Sequence, residues 1–116
     1  MKGLPEMGLW RADERILQLF VAETWWTRAR GLLGRPRLDP DQGLWIAPCA
    51  SVHGIGMGYP VDVVFLDAAQ CIRRCVRLQP WGMVLCHGAA ITIEIAAGGC
   101  NRLALEPGQH LHREPL

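Results

Sequence analysis

Residues 61–78 read VDVVFLDAAQCIRRCVRL, and this stretch predicts the β-hairpin around which the rest of the chain is arranged. Val61–Leu66 consists mainly of strong β-formers, residues 67–70 supply a turn, and Cys71–Leu78 returns as a second strand. Asp62 lies between two valines in the first strand, so its side chain is expected to be buried. A buried carboxylate must be paired or hydrogen-bonded, or it takes up a proton.

Outside this hairpin the pattern predicts further short strands and two short helices. Strands are predicted at Glu14–Ala22, with both faces covered, at Gly43–Ala47, at Ile91–Ile95 and at Gln109–Leu111. The strand at Ile91–Ile95 alternates isoleucine with Thr92 and Glu94, which predicts a half-exposed strand. Helices do not alternate with these strands, so a parallel βαβ sheet is not expected. The predicted fold is α+β and β-rich, a single small, mostly antiparallel sheet that curls toward a barrel.

The first predicted helix begins at Thr24, which offers an N-cap, and ends at Gly34. A second, brief helical turn is predicted between Gly98 and Leu105. The prolines and aspartates at positions 35–42 cannot continue a helix and predict a loop. The strands therefore carry most of the core, and the two helices serve as short connections.

The length and composition favour one globular domain. A chain of 116 residues, half of them apolar and one fifth charged, is expected to form a single domain over residues 1–116, with its core at roughly 14–112 and loose termini. A formal net charge of +1 creates no overall field that would attract nucleic acid. Nucleic acid is therefore not an expected partner.

Three features favour a cytoplasmic protein. The first 21 residues are interrupted by charges and a proline, so they lack the apolar stretch of a signal peptide. No segment has the ~20 apolar residues that a membrane span needs, so no transmembrane segment is expected. Five cysteines, an odd number, agree with a reducing compartment in which thiols stay free.

The segment before the hairpin holds the candidate binding residues. Glycines at positions 54, 56 and 58 would let a ligand or partner approach the backbone closely. His53 and Met57 lie among them, and Asp62 follows. Arg30, at the end of the first predicted helix, is the expected ion-pair partner of Asp62, with Arg35 as the substitute. The predicted binding surface or shallow pocket is therefore formed by Arg30, His53, Met57 and Asp62.

Cys49 and His53 raise the alternative of an enzyme or a metalloprotein. An imidazole beside a thiol would favour the thiolate, but no third side chain is placed to orient the ring. Zinc accepts thiolate and imidazole ligands, and Cys86 and His87 would have to complete such a site. The spacing of these four residues is unlike that of structural zinc sites, so no metal and no cofactor is expected. Buried thiols and a hydrogen-bonded histidine are the simpler interpretation.

The order of several motifs resembles the domain of unknown function 192 family. These motifs are TWWTRARGLLGR at residues 24–35, Gly43-Leu44, HGIGMGYPVDVVFLD at 53–67, IEIAAGG at 93–99 and LEPG at 105–108. The resemblance covers roughly residues 14–112. It implies a small β-rich bacterial or archaeal domain without an agreed biochemical activity, some of whose relatives are exported or encoded near pilus-assembly genes.

The sequence therefore predicts a non-enzymatic binding or assembly accessory. Its partner would be a protein or a small ligand, with a link to the cell envelope or to pilus assembly implied by the resemblance. The alternative is a metal-binding protein or a thiol-dependent enzyme centred on Cys49 and His53.

Overall fold

The computed structural model describes all 116 residues and contains nine strands and two short helices. In chain order these elements are β1 (Glu6–Arg11), β2 (Glu14–Ala22), α1 (Trp25–Arg30), β3 (Gln42–Ile46), β4 (Ser51–His53), β5 (Val61–Leu66), β6 (Ile72–Leu78), β7 (Met83–Leu85), β8 (Ile91–Ala96), α2 (Gly99–Arg102) and β9 (His112–Glu114).

Seven of the strands form one mixed sheet in the order β6-β5-β8-β3-β2-β1-β9, and β4 pairs with β7 in a separate two-stranded ribbon. Only β2 and β3 run parallel; the other neighbours are antiparallel, as predicted for most of the sheet. The predicted curl toward a barrel is not confirmed, because the edge strands β6 and β9 do not pair along their length. They approach each other through an isolated bridge between Cys71 and His110.

The predicted hairpin is present as β5 and β6, with Asp62 opposite Arg77 across the antiparallel pair. Every residue of β5 is buried because β5 has β6 on one side and β8 on the other, and both of its faces are covered. A turn at Asp67 connects the two strands, and its carboxylate accepts hydrogen bonds from the backbone N–H groups of Ala69 and Cys71. This side-chain bonding is the usual way in which an aspartate stabilises a turn.

Alternation along the strands divides the apolar side chains into two clusters, one on each face of the sheet. In β2, Leu17, Leu19 and Val21 belong to one cluster, and Phe20 and Ala22 belong to the other. The second cluster continues beyond the sheet into the segments that cover it. Its members there include Leu32 and Met57. These covering segments create the cleft described below.

The prediction for β8 is wrong in one respect: the strand is buried on both faces, not half-exposed. Thr92 is 0% and Glu94 4% exposed, although both are polar. The reason is that β8 lies between β5 and β3 in the middle of the sheet, where the covering segments shield the second face. Thr92 donates its hydroxyl to the backbone carbonyl of Cys49 at 3.0 Å. Glu94 has no such partner.

Helix α1 begins as predicted but ends earlier. Thr24 and Thr27 form a reciprocal capping box, each side chain bonding to the backbone N–H of the other. The helix ends at Gly31, not at the predicted Gly34, because Gly31 has φ +53° and ψ −127°. This backbone conformation is essentially restricted to glycine.

Substitution Gly31→Ala is therefore expected to lower the free energy of unfolding by about 1–3 kcal/mol, through backbone strain. The comparison is Gly58→Ala, where a Cβ meets nothing within 4 Å and φ is not in the left-handed region. We expect this control to stay close to wild type. Urea unfolding of the two variants checks the prediction, and equal stabilities would contradict it.

Three strands do not appear among the predicted elements, and one is displaced. β1, β4 and β7 are missed because Gly8 interrupts the first, and because the other two are only three residues long and adjoin glycine-rich loops. The last strand is predicted at Gln109–Leu111 but lies at His112–Glu114. Leu111 is fully buried in the core, so its apolar side chain is explained by packing and does not mark a residue of the strand.

Candidate functional site

The candidate site is an open cleft of about 230 Å³ between α1, the ribbon formed by β4 and β7, and the face of the sheet that carries Glu94; we call it the Glu94 cleft. The glycine-rich segment that follows β4 contributes Ile55 and Met57 to its wall. The full lining consists of Arg28, Ala29, Arg30, Gly31, Leu32, Leu33, Ile46, Cys49, Ser51, Val52, His53, Ile55, Met57 and Glu94.

Glu94 supplies the carboxyl group of this cleft. The β8 register places it opposite Leu44 of β3 and Val63 of β5, so it projects from the middle of the sheet. Its side chain makes no hydrogen bond and no ion pair with another protein group, although the residue is 4% exposed. Gly31 lies over the carboxyl, and a Cβ there would stand 3.5 Å from Glu94 Oε1. The carboxyl is thus covered by backbone and faces the cleft without a partner.

Burial raises the pKa of Glu94 to about 7, from an ordinary value of 4.5. Removal from water disfavours the charged form of a carboxyl, and no neighbouring cation offsets this effect. Close to neutral pH the side chain therefore exists as a mixture of acid and carboxylate. A carboxyl in this state can donate one hydrogen bond or accept several, depending on what occupies the cleft.

Two arginines from α1 line the same cleft, and the structure gives them different roles. Arg30 donates from Nε to the carbonyl of Leu33 at 2.9 Å and from Nη2 to that of Gly34 at 3.2 Å. These bonds satisfy carbonyls just beyond the helix end. Arg28 donates from Nη1 to the carbonyl of Pro48 at 3.0 Å, while its Nε is buried and has no partner.

The predicted ion pair between Asp62 and Arg30 is wrong. Asp62 Oδ1 accepts from Nε of Arg77 at 2.7 Å, and Oδ2 accepts from the backbone N–H groups of Gly98 and Cys100 at 3.1 Å each. The cause is strand alternation: Asp62 points to the face of the sheet opposite Phe65, whereas Arg30 lies over the face that carries Glu94. Asp62 therefore joins β5 to β6 and to the start of α2, and it is not part of the cleft.

The other predicted binding residues, Arg30, His53 and Met57, come together in the lining of the cleft. Met57 is buried in the apolar wall, and His53 is exposed at the end of β4. The ring nitrogen Nδ1 of His53 accepts a hydrogen bond from the backbone N–H of Ile55 at 3.3 Å. This bond places the proton of a neutral ring on Nε2.

Cys49 also lines the cleft, but its contacts do not form a catalytic group with His53. The Cys49 thiol donates to the backbone carbonyl of Ser51 at 3.2 Å. The only hydrogen bond of the His53 ring is the one from Ile55, so no side chain orients it. No group of three or more histidine, cysteine, aspartate or glutamate side chains is close enough to hold a metal ion, so Cys49, His53, Cys86 and His87 do not form the alternative site.

The sequence interpretation misses Glu94 and Arg28, two lining side chains whose buried polar atoms have no protein hydrogen-bond partner. Nothing in the sequence distinguishes Arg28 from its neighbours, because it is one of four arginines within ten residues. Glu94 can be singled out from the sequence, because it lies between Ile93 and Ile95, as Asp62 lies between Val61 and Val63. The argument that a strand acid between β-branched residues is buried applies equally to both positions.

The apolar surroundings of the cleft are partly exposed. Ile55, Met83 and Leu85 are each more than half exposed, and Met83 and Leu85 lie directly opposite His53 and Ser51 in the ribbon. Trp25 and Trp26 are also exposed and form an edge-to-face pair at 4.8 Å. Trp45, by contrast, is buried in the core.

The fold and the cleft together define a small β-rich protein with a mixed seven-stranded sheet, two short helices and a ligand-sized opening under α1. The chain belongs to the DUF192 family, described as Uncharacterized ACR, whose model matches residues 9–113. Neither of its helices has the length and apolar character needed to cross a bilayer.

One protein of similar sequence and two solved structures of similar fold can be compared with this chain. The chain is 30% identical over 100 residues to a UPF0127 protein of Thermococcus sibiricus (strain DSM 12597 / MM 739), covering 81% of this chain and 64% of that relative. A crystal structure from Sinorhizobium meliloti 1021, provisionally described as a transcription regulator, aligns with a TM-score of 0.83 at 22% identity and covers 97% of both chains. A crystal structure of a protein of unknown function from Novosphingobium aromaticivorans DSM 12444 aligns with a TM-score of 0.80 at 19% identity, and the alignment covers 94% of this chain and 84% of that one. At these identities the two structures show that the fold is shared.

Proposed function

We propose that this protein is a non-enzymatic small-ligand binding protein and that the Glu94 cleft is its binding site. The observation that supports the proposal is the Glu94 carboxyl, which is buried, has no protein partner and faces an open cleft. Buried polar groups in folded proteins are almost always hydrogen-bonded, so an unpartnered carboxyl that faces an open cleft is a candidate position for a ligand to supply the missing bond.

The cleft also has the composition of a binding site. Eight of its fourteen lining residues are apolar, and its polar groups are few and come from different elements. Gly31 has a positive φ and lines the cleft, where it brings the backbone close without a side chain, and Gly56, also with a positive φ, lies against the lining residue Leu33. Arg30, His53 and Met57 are the sequence-predicted binding residues that contribute to it.

Two observations weigh against the thiol-dependent enzyme. Catalysis by a cysteine needs a base in hydrogen-bond reach and a group that orients the base. Here the Cys49 thiol and the His53 ring each bond to the backbone instead. A cleft without an assembled nucleophile can still bind and release a ligand, so binding is the function that these contacts support.

The assembly part of the prediction is supported by a different feature, the exposed apolar side chains beside the cleft. Exposed apolar patches often mark contact surfaces between proteins. A protein could dock through Met83, Leu85 and Ile55, of which Ile55 lines the cleft and the other two pair with the lining residues His53 and Ser51. A link to the cell envelope or to pilus assembly is implied by the family resemblance alone and stays a prediction.

Ligand binding at the cleft can be tested by nuclear magnetic resonance with methyl-labelled protein and a library of small fragments. We expect the bound fragments to shift the methyl signals of Met57 and Val52, which line the cleft. Substitution Ala29→Trp places a bulky ring at the cleft and is expected to abolish these shifts. Ala68→Trp, at an exposed turn outside the cleft, is the matched control and should retain them.

Two outcomes would contradict the proposed site. Fragments that shift only signals outside the cleft would place binding elsewhere, and equal binding to the Ala29→Trp and Ala68→Trp variants would show that the cleft is not used. A library without any bound fragment at millimolar concentration would contradict the proposed function itself.

A further inference from the structure

Two polar groups of the Glu94 cleft are buried and lack a protein hydrogen-bond partner, and they have opposite charge. One is the Glu94 carboxyl on β8, and the other is the buried Nε–H of Arg28 on α1. They belong to different walls, since β8 forms part of the floor and α1 forms one side. A ligand that satisfies both must offer a hydrogen-bond acceptor to the arginine and a donor to the glutamate.

We infer that the Glu94 cleft binds a small zwitterion, with a carboxylate that pairs with Arg28 and an ammonium group that pairs with Glu94. This inference rests on the proposed function and specifies its ligand class. The remaining lining favours an aliphatic portion in the ligand, because Leu32, Ile46 and Val52 are apolar and Met57 is a flexible apolar side chain.

The charges of the cleft favour a zwitterion over a ligand with one charged group. A simple amine would pair with Glu94 but would leave Arg28 Nε without a partner. A simple carboxylate would pair with Arg28 but would leave the buried Glu94 carboxyl without a partner. A buried polar group without a hydrogen-bond partner costs free energy. Each single-charge ligand leaves one such group, whereas the zwitterion provides a partner for both.

The size of the cleft favours a small ligand. A volume of about 230 Å³ lies below the roughly 300–1,000 Å³ that is usual for drug-sized ligands, so a single small metabolite fits it. Free apolar α-amino acids and short ω-amino acids belong to this class. They differ in the separation of their two charges, and the test below includes both.

Titration calorimetry with the full-length chain can compare matched compounds. Leucine and 6-aminohexanoate carry both charges, 4-methylpentanoate is leucine without its amino group, and 3-methylbutylamine is leucine without its carboxylate. We expect at least one of the two zwitterions to bind about tenfold or more tightly than either single-charge compound, since each charge-assisted bond contributes on the order of 1.5–3 kcal/mol.

Three variants assign this preference to residues. Glu94→Gln and Arg28→Met are each expected to reduce zwitterion binding by about tenfold or more. Arg15→Met, which removes an exposed arginine outside the cleft, should leave it unchanged. Melting curves establish that each variant is folded, and Glu94→Asp, which keeps the charge, should restore part of the affinity if Glu94→Gln is impaired.

The outcomes separate this inference from the proposed function. If the single-charge compounds bind as tightly as the zwitterions, or if neither Glu94→Gln nor Arg28→Met affects zwitterion binding, the inference is wrong. The inference is also wrong if none of the four compounds binds while a fragment from the library occupies the cleft. In that case the proposed function, ligand binding at the cleft, is still supported. If neither the four compounds nor any fragment binds, both proposals fail.

Discussion

Substitution Asp62→Ala is expected to lower the free energy of unfolding by about 3 kcal/mol, or the melting temperature by roughly 12 °C for a chain of this size. The Asp62 carboxylate is buried and accepts three hydrogen bonds, one from Arg77 and two from backbone N–H groups. Alanine would leave the N–H groups of Gly98 and Cys100 without partners. Thermal unfolding followed by circular dichroism measures the effect.

The matched control for this prediction is Arg77→Met. The Arg77 side chain is 45% exposed, so solvent screens its ion pair and its loss is expected to cost about 1 kcal/mol or less. Most of the effect of Asp62→Ala should therefore come from the backbone groups. This assignment would be contradicted if Arg77→Met were as unstable as Asp62→Ala. It would also be contradicted if Asp62→Ala had the melting temperature of the wild type.

The second large effect concerns the pH dependence of stability. The Glu94 carboxyl loses its proton near pH 4.5 in the unfolded chain but only near pH 7 in the folded protein. Between these values the folded state binds more protons than the unfolded state, so the free energy of unfolding falls as the pH rises. The loss begins above pH 4.5 and is complete above about pH 7, where it reaches about 3 kcal/mol from this group.

Substitution Glu94→Gln should remove this contribution, because glutamine keeps the shape of the side chain but does not titrate. Relative to wild type, we expect the variant to gain about 3 kcal/mol of stability between pH 4.5 and pH 8. Urea unfolding across this range measures the difference. Glu106→Gln, at an exposed position, is the control and should follow wild type. If the free energy of unfolding changed with pH in the same way for wild type and Glu94→Gln, the raised pKa of Glu94 would be contradicted.

Most strands of the sheet could be predicted from local pattern. The hairpin of β5 and β6 follows from a continuous run of β-formers on either side of a turn, and β2, β3 and β8 follow from similar runs. β4 and β7 could not be predicted in this way, because a three-residue strand beside glycines has no periodicity. Their pairing is a tertiary contact between Ser51–His53 and Met83–Leu85, in which the paired residues are 30 to 34 positions apart in the sequence.

Part of the lining of the cleft can be predicted from the sequence. The glycines at 54, 56 and 58 point to His53 and Met57, because a glycine-rich segment beside a strand permits close backbone approach, and both residues line the cleft. The burial of Asp62 follows from the valines on either side of it, but the face of the sheet to which its side chain points does not. Strand order decides that face, and strand order comes from long-range pairing that local pattern does not contain.

The same limitation explains why Glu94 was overlooked. Alternation of Thr92 and Glu94 with isoleucines is typical of a strand with one solvent-facing side. In this protein α1 and the β4–β7 ribbon cover that side, so the alternation separates two buried faces. Whether a polar face meets water or a cleft depends on which segments pack over it.

Titration of the Glu94 side-chain carboxyl, followed by carbon-13 resonance with the Glu94→Gln variant for assignment, tests the buried and unpartnered state of this group most directly. We predict a single transition with a midpoint near pH 7. A midpoint close to 4.5, the ordinary value for glutamate, would show that the carboxyl is hydrated or paired and would contradict the proposed binding site.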